Sequence, residues 1–149
     1  QKAVVKHGFL GDAFPLYAAS YNWQSKTYSN QNLNTSEALE TILHLSEIGE
    51  AKKVTVNWLK RQVNNKTLYN IYSVNGNVID KNQSAGSYAV AAMIFATEKD
   101  PTMYRKAMDL VWKYQVGDES SPIYGGIGIK RQQLAYSYNN LTALLAAKY

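Results

Sequence analysis

Apolar residues recur at helical spacing in several stretches, and the clearest stretch follows residue 34. Asn34 can cap a helix, and Glu37 three residues later completes a capping box. Gly49 fits the left-handed residue that ends many helices. The pattern therefore predicts a helix over about 35–48. Its apolar face consists of Ala38, Leu39, Ile42, Leu43 and Leu45.

Later stretches with the same spacing predict further helices over about 51–64, 84–97, 101–115 and 137–148. The stretch 84–97 is apolar nearly all round, so we expect it to be buried. Asp100 followed by Pro101 is typical of a helix start. Trp58 and Trp112 occupy matching places in two of these helices, which favours core packing for both.

Two segments lack helical spacing. Residues 1–33 are aromatic and interrupted by Pro15, so we expect irregular or extended chain there, with a turn or short strand at 21–28. The second segment predicts a β-hairpin: residues 68–74 and 78–79 flank Asn75-Gly76, a strong signal for a two-residue turn.

The predicted helix starts at 35, 84 and 137 are spaced regularly, because 84 − 35 = 49 and 137 − 84 = 53. Such spacing is typical of stacked helix pairs. We therefore predict an all-α fold, a partial (α/α) toroid of antiparallel helix pairs with a short β-hairpin on the rim. Residues 1–149 would form a single unit, irregular over 1–33 and helical over 34–149. A closed toroid of six pairs needs roughly twice this length; an irregular helical domain is the alternative.

Composition narrows the possible ligands. The net charge is +5, but the basic residues are scattered in pairs, which disfavours nucleic-acid binding. The absence of cysteine excludes disulfides and thiolate zinc sites, and the two histidines lie in unrelated contexts. We predict no metal and no cofactor.

No apolar run reaches membrane-spanning length, so we predict no membrane insertion. The start at Gln1 without Met favours a processed or trimmed chain.

Several short motifs resemble the C-terminal region of glycoside hydrolase family 8-like proteins of Gram-positive bacteria. They occur in order along most of the chain: PLY at 15, YNW at 21, NTSEAL at 34, HLSEIG at 44, VNWL at 56, QSAGSYA at 83, IYGG at 123 and YSYNNL at 136. The resemblance implies an (α/α)6 barrel whose acidic cleft cuts β-linked polysaccharides, usually with inversion. It also implies that the catalytic glutamate and a second aspartate lie in an N-terminal half that this chain does not match.

Asp12 is the candidate general base. It lies beside Gly11 in an aromatic segment outside any predicted helix, and loop carboxylates near aromatic rings are common in sugar clefts. The run 11–15 resembles a family motif in which Asp-Ala and an apolar residue precede arginine, an apolar residue and proline, but the arginine is missing here. An ordinary turn aspartate is the alternative.

Twelve tyrosines against three phenylalanines is an unusual balance, and tyrosine suits half-buried surfaces and sugar grooves. Tyrosines at the rim of the core are the alternative interpretation. The candidate substrate-binding residues are Tyr21, Trp23, Tyr72, Tyr88, Tyr124 and Tyr138.

Together these features predict part of a polysaccharide-hydrolysing enzyme that acts on β-linked glycans by acid/base catalysis. We expect this fragment to be incomplete and inactive by itself, and the protein to be extracellular or at the cell surface. Uncovered apolar helix flanks favour association with a missing N-terminal half or with a second copy. The alternative function is a non-catalytic helical-repeat module that binds a glycan or a protein through a tyrosine-rich face.

Overall fold

The computed structural model describes residues 6–149, so the first five residues of the predicted irregular segment lie outside the described residues. The chain divides into two compact units, the first ending at Gln83 and the second spanning Ser84–Tyr149. Each unit is described by itself below. We number helices and strands in chain order.

The first unit contains helices α1 (Thr35–Glu47) and α2 (Lys53–Asn65), close to the predicted bounds. The Asn34 side chain accepts a hydrogen bond from the Glu37 N–H at 3.4 Å, so the predicted N-terminal cap is confirmed. Gly49 has φ +73° and follows α1, as predicted. The inward face of α2 includes Trp58 and Leu59, both buried.

Strands β3 (Leu33–Asn34), β4 (Ile71–Tyr72) and β5 (Val78–Asp80) form a three-stranded antiparallel sheet in the order β3-β4-β5. The predicted hairpin corresponds to β4 and β5. The sequence pattern missed β3, which is two residues long and pairs Leu33 with Tyr72. Its partner lies almost forty positions away, where local periodicity carries no information.

The β4–β5 turn differs from the predicted two-residue turn. Gly76 donates its N–H to the Ser73 carbonyl at 2.9 Å, and Ser73 donates its N–H to the Asn77 carbonyl at 2.9 Å. These bonds enclose a three-residue loop, 74–76, in which Gly76 has φ +82°. Such a loop needs a left-handed residue at its last position, which glycine provides.

A second hairpin consists of β1 (Tyr21–Asn22) and β2 (Thr27–Tyr28), which confirms the turn or short strand expected at 21–28. Tyr21 pairs with Tyr28 and Asn22 with Thr27. Residues 23–26 form the turn, and Lys26 adopts a left-handed conformation there with φ +55°.

The second unit contains α3 (Ala85–Thr97), α4 (Pro101–Trp112), a short 3-10 helix (Lys130–Gln132) and α5 (Ser137–Ala146). Helix α3 packs against both α4 and α5, and it is buried on all sides as predicted. Ser84 caps α3 by accepting from the Ser87 N–H at 3.1 Å. Asp100 caps α4 by accepting from the Met103 N–H at 3.0 Å.

The prediction that Trp112 packs in the core is wrong. Trp112 lies at the end of α4 and is 41% exposed, so it is not a core counterpart of Trp58. Helix α5 buries the small residues Ala143 and Ala146, whereas its three leucines are each more than half exposed. The large side chains therefore project away from the core of this unit.

The described residues form a helix-rich fold with two small antiparallel sheets, so an all-α fold with one hairpin is too simple a description. Among residues 6–149, no helix has the length and apolar character needed to cross a bilayer.

We predict that Gly76→Ala destabilises the protein more than Gly49→Ala. Both glycines have positive φ, which costs an alanine about 1–2 kcal/mol. A Cβ at Gly76 would also lie 3.0 Å from the Phe14 ring, whereas one at Gly49 meets no atom within 4 Å. Urea denaturation of both variants measures the difference. Equal losses would contradict the predicted role of the Phe14 contact.

We predict that the exposed leucines of α5 bind an apolar dye and promote association. Leu141→Gln combined with Leu144→Gln should lower dye fluorescence and shift size-exclusion profiles toward the monomer, because both side chains are largely solvent-exposed. The melting temperature should change little. Leu39→Gln, at a fully buried position, is the control that should unfold the chain. Unchanged dye binding in the double variant would refute this prediction.

Candidate functional site

The first unit contains a depression of about 230 Å³ where the turn at 11–14, helix α2 and the β4–β5 hairpin meet. It is smaller than the ~300–1,000 Å³ pockets that enclose drug-sized ligands, so it suits a short part of a larger ligand. Its lining combines aromatic rings with amide side chains: Ala13, Phe14, Trp58, Gln62, Tyr69, Tyr72, Asn75, Gly76 and Val78.

Three rings form the base of this depression. Phe14 lies 5.7 Å from Trp58 and 5.4 Å from Tyr72 between ring centroids, and Trp58 lies 5.9 Å from Tyr72. Two of these pairs are edge-to-face, the arrangement that aromatic quadrupoles favour. We call Phe14, Trp58 and Tyr72 the aromatic triangle. It joins three chain segments that are far apart in sequence.

Tyr72 was predicted to bind substrate, and the structure corrects this role. Its side chain is 4% exposed, and its hydroxyl donates to the Thr67 carbonyl at 2.8 Å while accepting from the Tyr69 N–H at 3.1 Å. Burial raises the pKa of this hydroxyl. Tyr72 therefore supports the depression from within the core and offers a ligand little surface.

Asp12 is adjacent in sequence to residues that line the same depression. It is exposed in the turn at 12–13 and directly precedes Ala13 and Phe14, which line the depression, so its Cα lies within about 4 Å of that of Ala13. The loop that carries it is held at its base, where Leu10 donates its N–H to the Leu16 carbonyl at 2.9 Å. The buried Thr55 hydroxyl donates to the Pro15 carbonyl at 2.7 Å and ties the loop to α2.

The structure brings Tyr21 and Trp23 together on the β1–β2 hairpin. Their ring centroids lie 5.0 Å apart at an interplanar angle of 88°. Tyr28 also packs against Tyr21, with ring centroids 4.9 Å apart. Trp23 is 83% exposed, so its indole is available to a ligand.

The candidates in the second unit divide into one core residue and two surface residues. Tyr88 is 1% exposed inside α3, so its ring has no face free for a sugar, and the prediction for it is corrected. Tyr138 is partly exposed at the start of α5, and its ring lies against Gly86 so closely that a Cβ there would lie 2.6 Å from the ring. Tyr124 is exposed in the loop between α4 and α5.

An open groove of about 500 Å³ in the second unit is lined by residues 113–118 together with Gly128 and Lys130. Asp118 lies there 3.1 Å from the Lys130 ammonium. Hydrogen bonds from the Ser120 side chain and from Lys130 lower the pKa of Asp118 to about 2. A carboxylate with so low a pKa is a weak proton acceptor, which argues against Asp118 as a general base.

A small cavity of about 30 Å³ lies beside Tyr17, between residues 17–19 and the start of α1. This volume holds about one water molecule and is too small for a sugar ring. The Tyr17 hydroxyl is buried and has no hydrogen-bond partner within residues 6–149, and burial raises its pKa. The cavity fits a structural water better than a substrate.

Sequence reasoning missed several residues of the depression, notably Phe14, Gln62 and Tyr69. One local signal was present: Trp58 and Gln62 are four residues apart on α2 and therefore share a helix face. The approach of Phe14 and Tyr69 to that face is a long-range contact without a local signal. Within the described part of the chain, no three acidic or histidine side chains lie close enough together to hold a metal ion.

No family model matches the chain, and no curated protein matches it in sequence. Among solved structures, it is similar to a novel alpha-amylase from Clostridium perfringens, with 27% identity and a TM-score of 0.89. The match covers 97% of this chain and 45% of the amylase chain, so this chain spans less than half the length of that protein. The predicted resemblance to a glycoside hydrolase is thus confirmed at the level of the fold, and family 8 stays a prediction.

We predict that Ser120→Ala raises the pKa of Asp118 from about 2 toward its ordinary value of 3.8, because the Ser120 hydroxyl, at 2.7 Å, makes the largest contribution to the shift. Lys130→Met removes both a hydrogen bond and a nearby positive charge, so it should raise the pKa of Asp118 as well. Because the folded-state pKa of Asp118 is lower than its unfolded-state pKa, the ionised carboxylate stabilises the fold at pH values above the unfolded-state pKa, and this stabilisation is lost as the pH falls through about 2. Carboxyl NMR titration tests both variants; an unchanged pKa of Asp118 in Ser120→Ala would contradict the assigned cause.

Proposed function

We propose that this chain is part of a glycan-hydrolysing enzyme. The observation that carries the proposal is the match to an alpha-amylase, at a TM-score of 0.89 and 27% identity over nearly the whole chain. The motifs that resemble family 8 point independently to the same class of enzyme. Since the match covers 45% of the amylase chain, the complete enzyme would need further polypeptide, and a closed toroid of helix pairs is the architecture we propose for it.

The proposed chemistry is acid/base hydrolysis with Asp12 as general base. Asp12 directly precedes Ala13 and Phe14, which line the depression, and its exposed side chain has access to a water molecule that it could activate. Inverting hydrolysis needs a second carboxyl group roughly 6.5–9.5 Å away to protonate the leaving oxygen. The family resemblance implies a glutamate for that role in the missing half. The chain by itself would then supply one carboxylate and one wall of the cleft.

Two observations favour different linkages. The family 8 motifs imply a β-linked glycan, whereas the similar solved structure is described as an alpha-amylase, and amylases act on α-linked glucans. Both linkages are cleaved by the same pair of carboxyl groups, and the shape of the whole cleft decides between them. A polymeric substrate also agrees with the proposed extracellular or cell-surface location, because polysaccharides do not cross a membrane unaided.

The exposed leucines of α5 support the proposed association. They form a face on one helix of the second unit, as expected of a helix that packs against more protein. The missing part of the enzyme is the partner we propose, and a second copy is the alternative. A non-catalytic module that binds glycans stays a second candidate function, favoured by the exposed Trp23.

We predict that the isolated 149-residue chain releases no reducing sugar from soluble starch or mixed-linkage β-glucan, and that the longer protein hydrolyses one of them. Asp12→Asn in the longer protein should lower kcat by about a hundredfold or more, since a general base contributes about that much. Asp118→Asn is the matched control and should retain activity. Inactivity of the longer protein on both glucans would refute the proposed function, and full activity of Asp12→Asn would refute the role of Asp12.

A further inference from the structure

The β1–β2 hairpin exposes a large aromatic side chain to solvent, although the hairpin itself is short. We call residues 21–28 the aromatic hairpin. The indole of Trp23 is 83% exposed, more than any other large apolar side chain of the described residues. Exposed aromatic surface at a fixed position commonly marks a binding site, because the ring gains from any ligand that excludes water from its face.

The hairpin defines the backbone conformation at Trp23. The Asn22 side chain accepts hydrogen bonds from the backbone N–H groups of Gln24 and Ser25 at 2.9 and 3.0 Å, which shapes the turn that carries the indole. The Ser25 and Thr27 hydroxyls are hydrogen-bonded at 2.8 Å within the same turn. A ligand would therefore meet a ring on an ordered turn, so binding would lose little backbone entropy.

Tyr21 contributes to this order from the centre of the hairpin. Its ring contacts that of Trp23 edge-to-face at 5.0 Å and that of Tyr28 at 4.9 Å, measured between ring centroids. The edge-to-face contact uses the rim of one ring against the face of the other. The three rings thus support one another, and the highly exposed indole is the one that can take a ligand.

The surroundings of the hairpin define the chemistry of that ligand. Residues 18–34 contain a single charged side chain, Lys26, whereas hydroxyl and amide side chains are abundant. Those polar residues are Ser20, Asn22, Gln24, Ser25, Thr27, Ser29, Asn30, Gln31, Asn32 and Asn34. Nucleic acids and acidic polysaccharides need a cluster of cations, which this segment lacks. Neutral donors and acceptors beside an aromatic face instead fit sugar hydroxyls and the apolar C–H face of a sugar ring.

We propose that the aromatic hairpin is a binding platform for a neutral glucan, with the Trp23 indole stacked on the C–H face of one sugar ring and neighbouring amides and hydroxyls bonded to its hydroxyl groups. The choice of a glucan rests on the proposed function. The platform itself needs no catalytic group and would also operate in a non-catalytic glycan-binding protein.

The test is native gel electrophoresis of the 149-residue chain in gels that contain amylopectin, mixed-linkage β-glucan or polygalacturonate. We expect at least one neutral glucan to retard the chain and polygalacturonate to have no effect. Trp23→Ala should weaken binding by about tenfold or more, in line with the loss of an aromatic stacking platform in other ligand classes. Trp23→Phe should retain part of the affinity.

The control is Trp112→Ala, which removes another exposed tryptophan and should leave glucan affinity unchanged. Equal melting temperatures of the wild type and Trp23→Ala exclude unfolding as the cause. No retardation by either glucan, equal retardation of Trp23→Ala, or retardation by polygalacturonate alone would overturn the proposal. A change of oligomeric state in Trp23→Ala without a change in glucan affinity would overturn it as well.

The proposed function and the platform can fail separately. Binding that depends on Trp23, together with a longer protein that hydrolyses neither glucan, leaves the platform standing and removes the enzyme. Hydrolysis that depends on Asp12, without binding to the hairpin, removes the platform alone.

Discussion

The contact among Phe14, Trp58 and Tyr72 is the interaction on which the candidate site depends. It joins an irregular loop, a helix and a sheet strand through ring centroids less than 6 Å apart. Asp12 precedes Phe14 by two residues, so the path of the backbone at Asp12 depends on where the Phe14 ring is held. The tight approach of Gly76 to Phe14 extends the same contact to the β4–β5 turn.

The second unit depends on a different constraint, the close approach of helices that carry small residues. Helix α3 is rich in alanine and is buried against α4 and α5. Gly86 leaves room for the Tyr138 ring, and its N–H donates to the Asn139 side chain at 3.1 Å. The side chain of Asn140 in turn bonds both the N–H and the carbonyl of Ile127 at 2.8 Å. These contacts fix the start of α5, while the leucines further along α5 stay exposed.

The helices and their caps were predictable because they depend on interactions between residues close together in the sequence. Asn34 and Asp100 accept hydrogen bonds from backbone N–H groups three residues away, so the signal and its effect lie in the same stretch of sequence.

The burial of individual side chains was less predictable. Leu141 and Ala143 are both apolar and lie on one short helix, yet the alanine faces the core and the leucine faces outward. Which face of a helix is covered depends on its neighbours, and local periodicity does not identify them.

The candidate site likewise combines features that local sequence predicts with features that depend on tertiary contacts. The sequence by itself determined the helices, the hairpin at 68–79, the turn or short strand at 21–28, the neutral polar character of residues 18–34 and the candidate roles of Asp12 and Trp23, because composition and local spacing act within a few residues. Only the tertiary structure decided which aromatic side chains belong to the core. Tyr72 and Tyr88 are enclosed there, whereas Trp23 is left in solvent. The physical reason is that a ring becomes core or surface through contacts with segments distant in sequence, and those contacts form only when the chain folds.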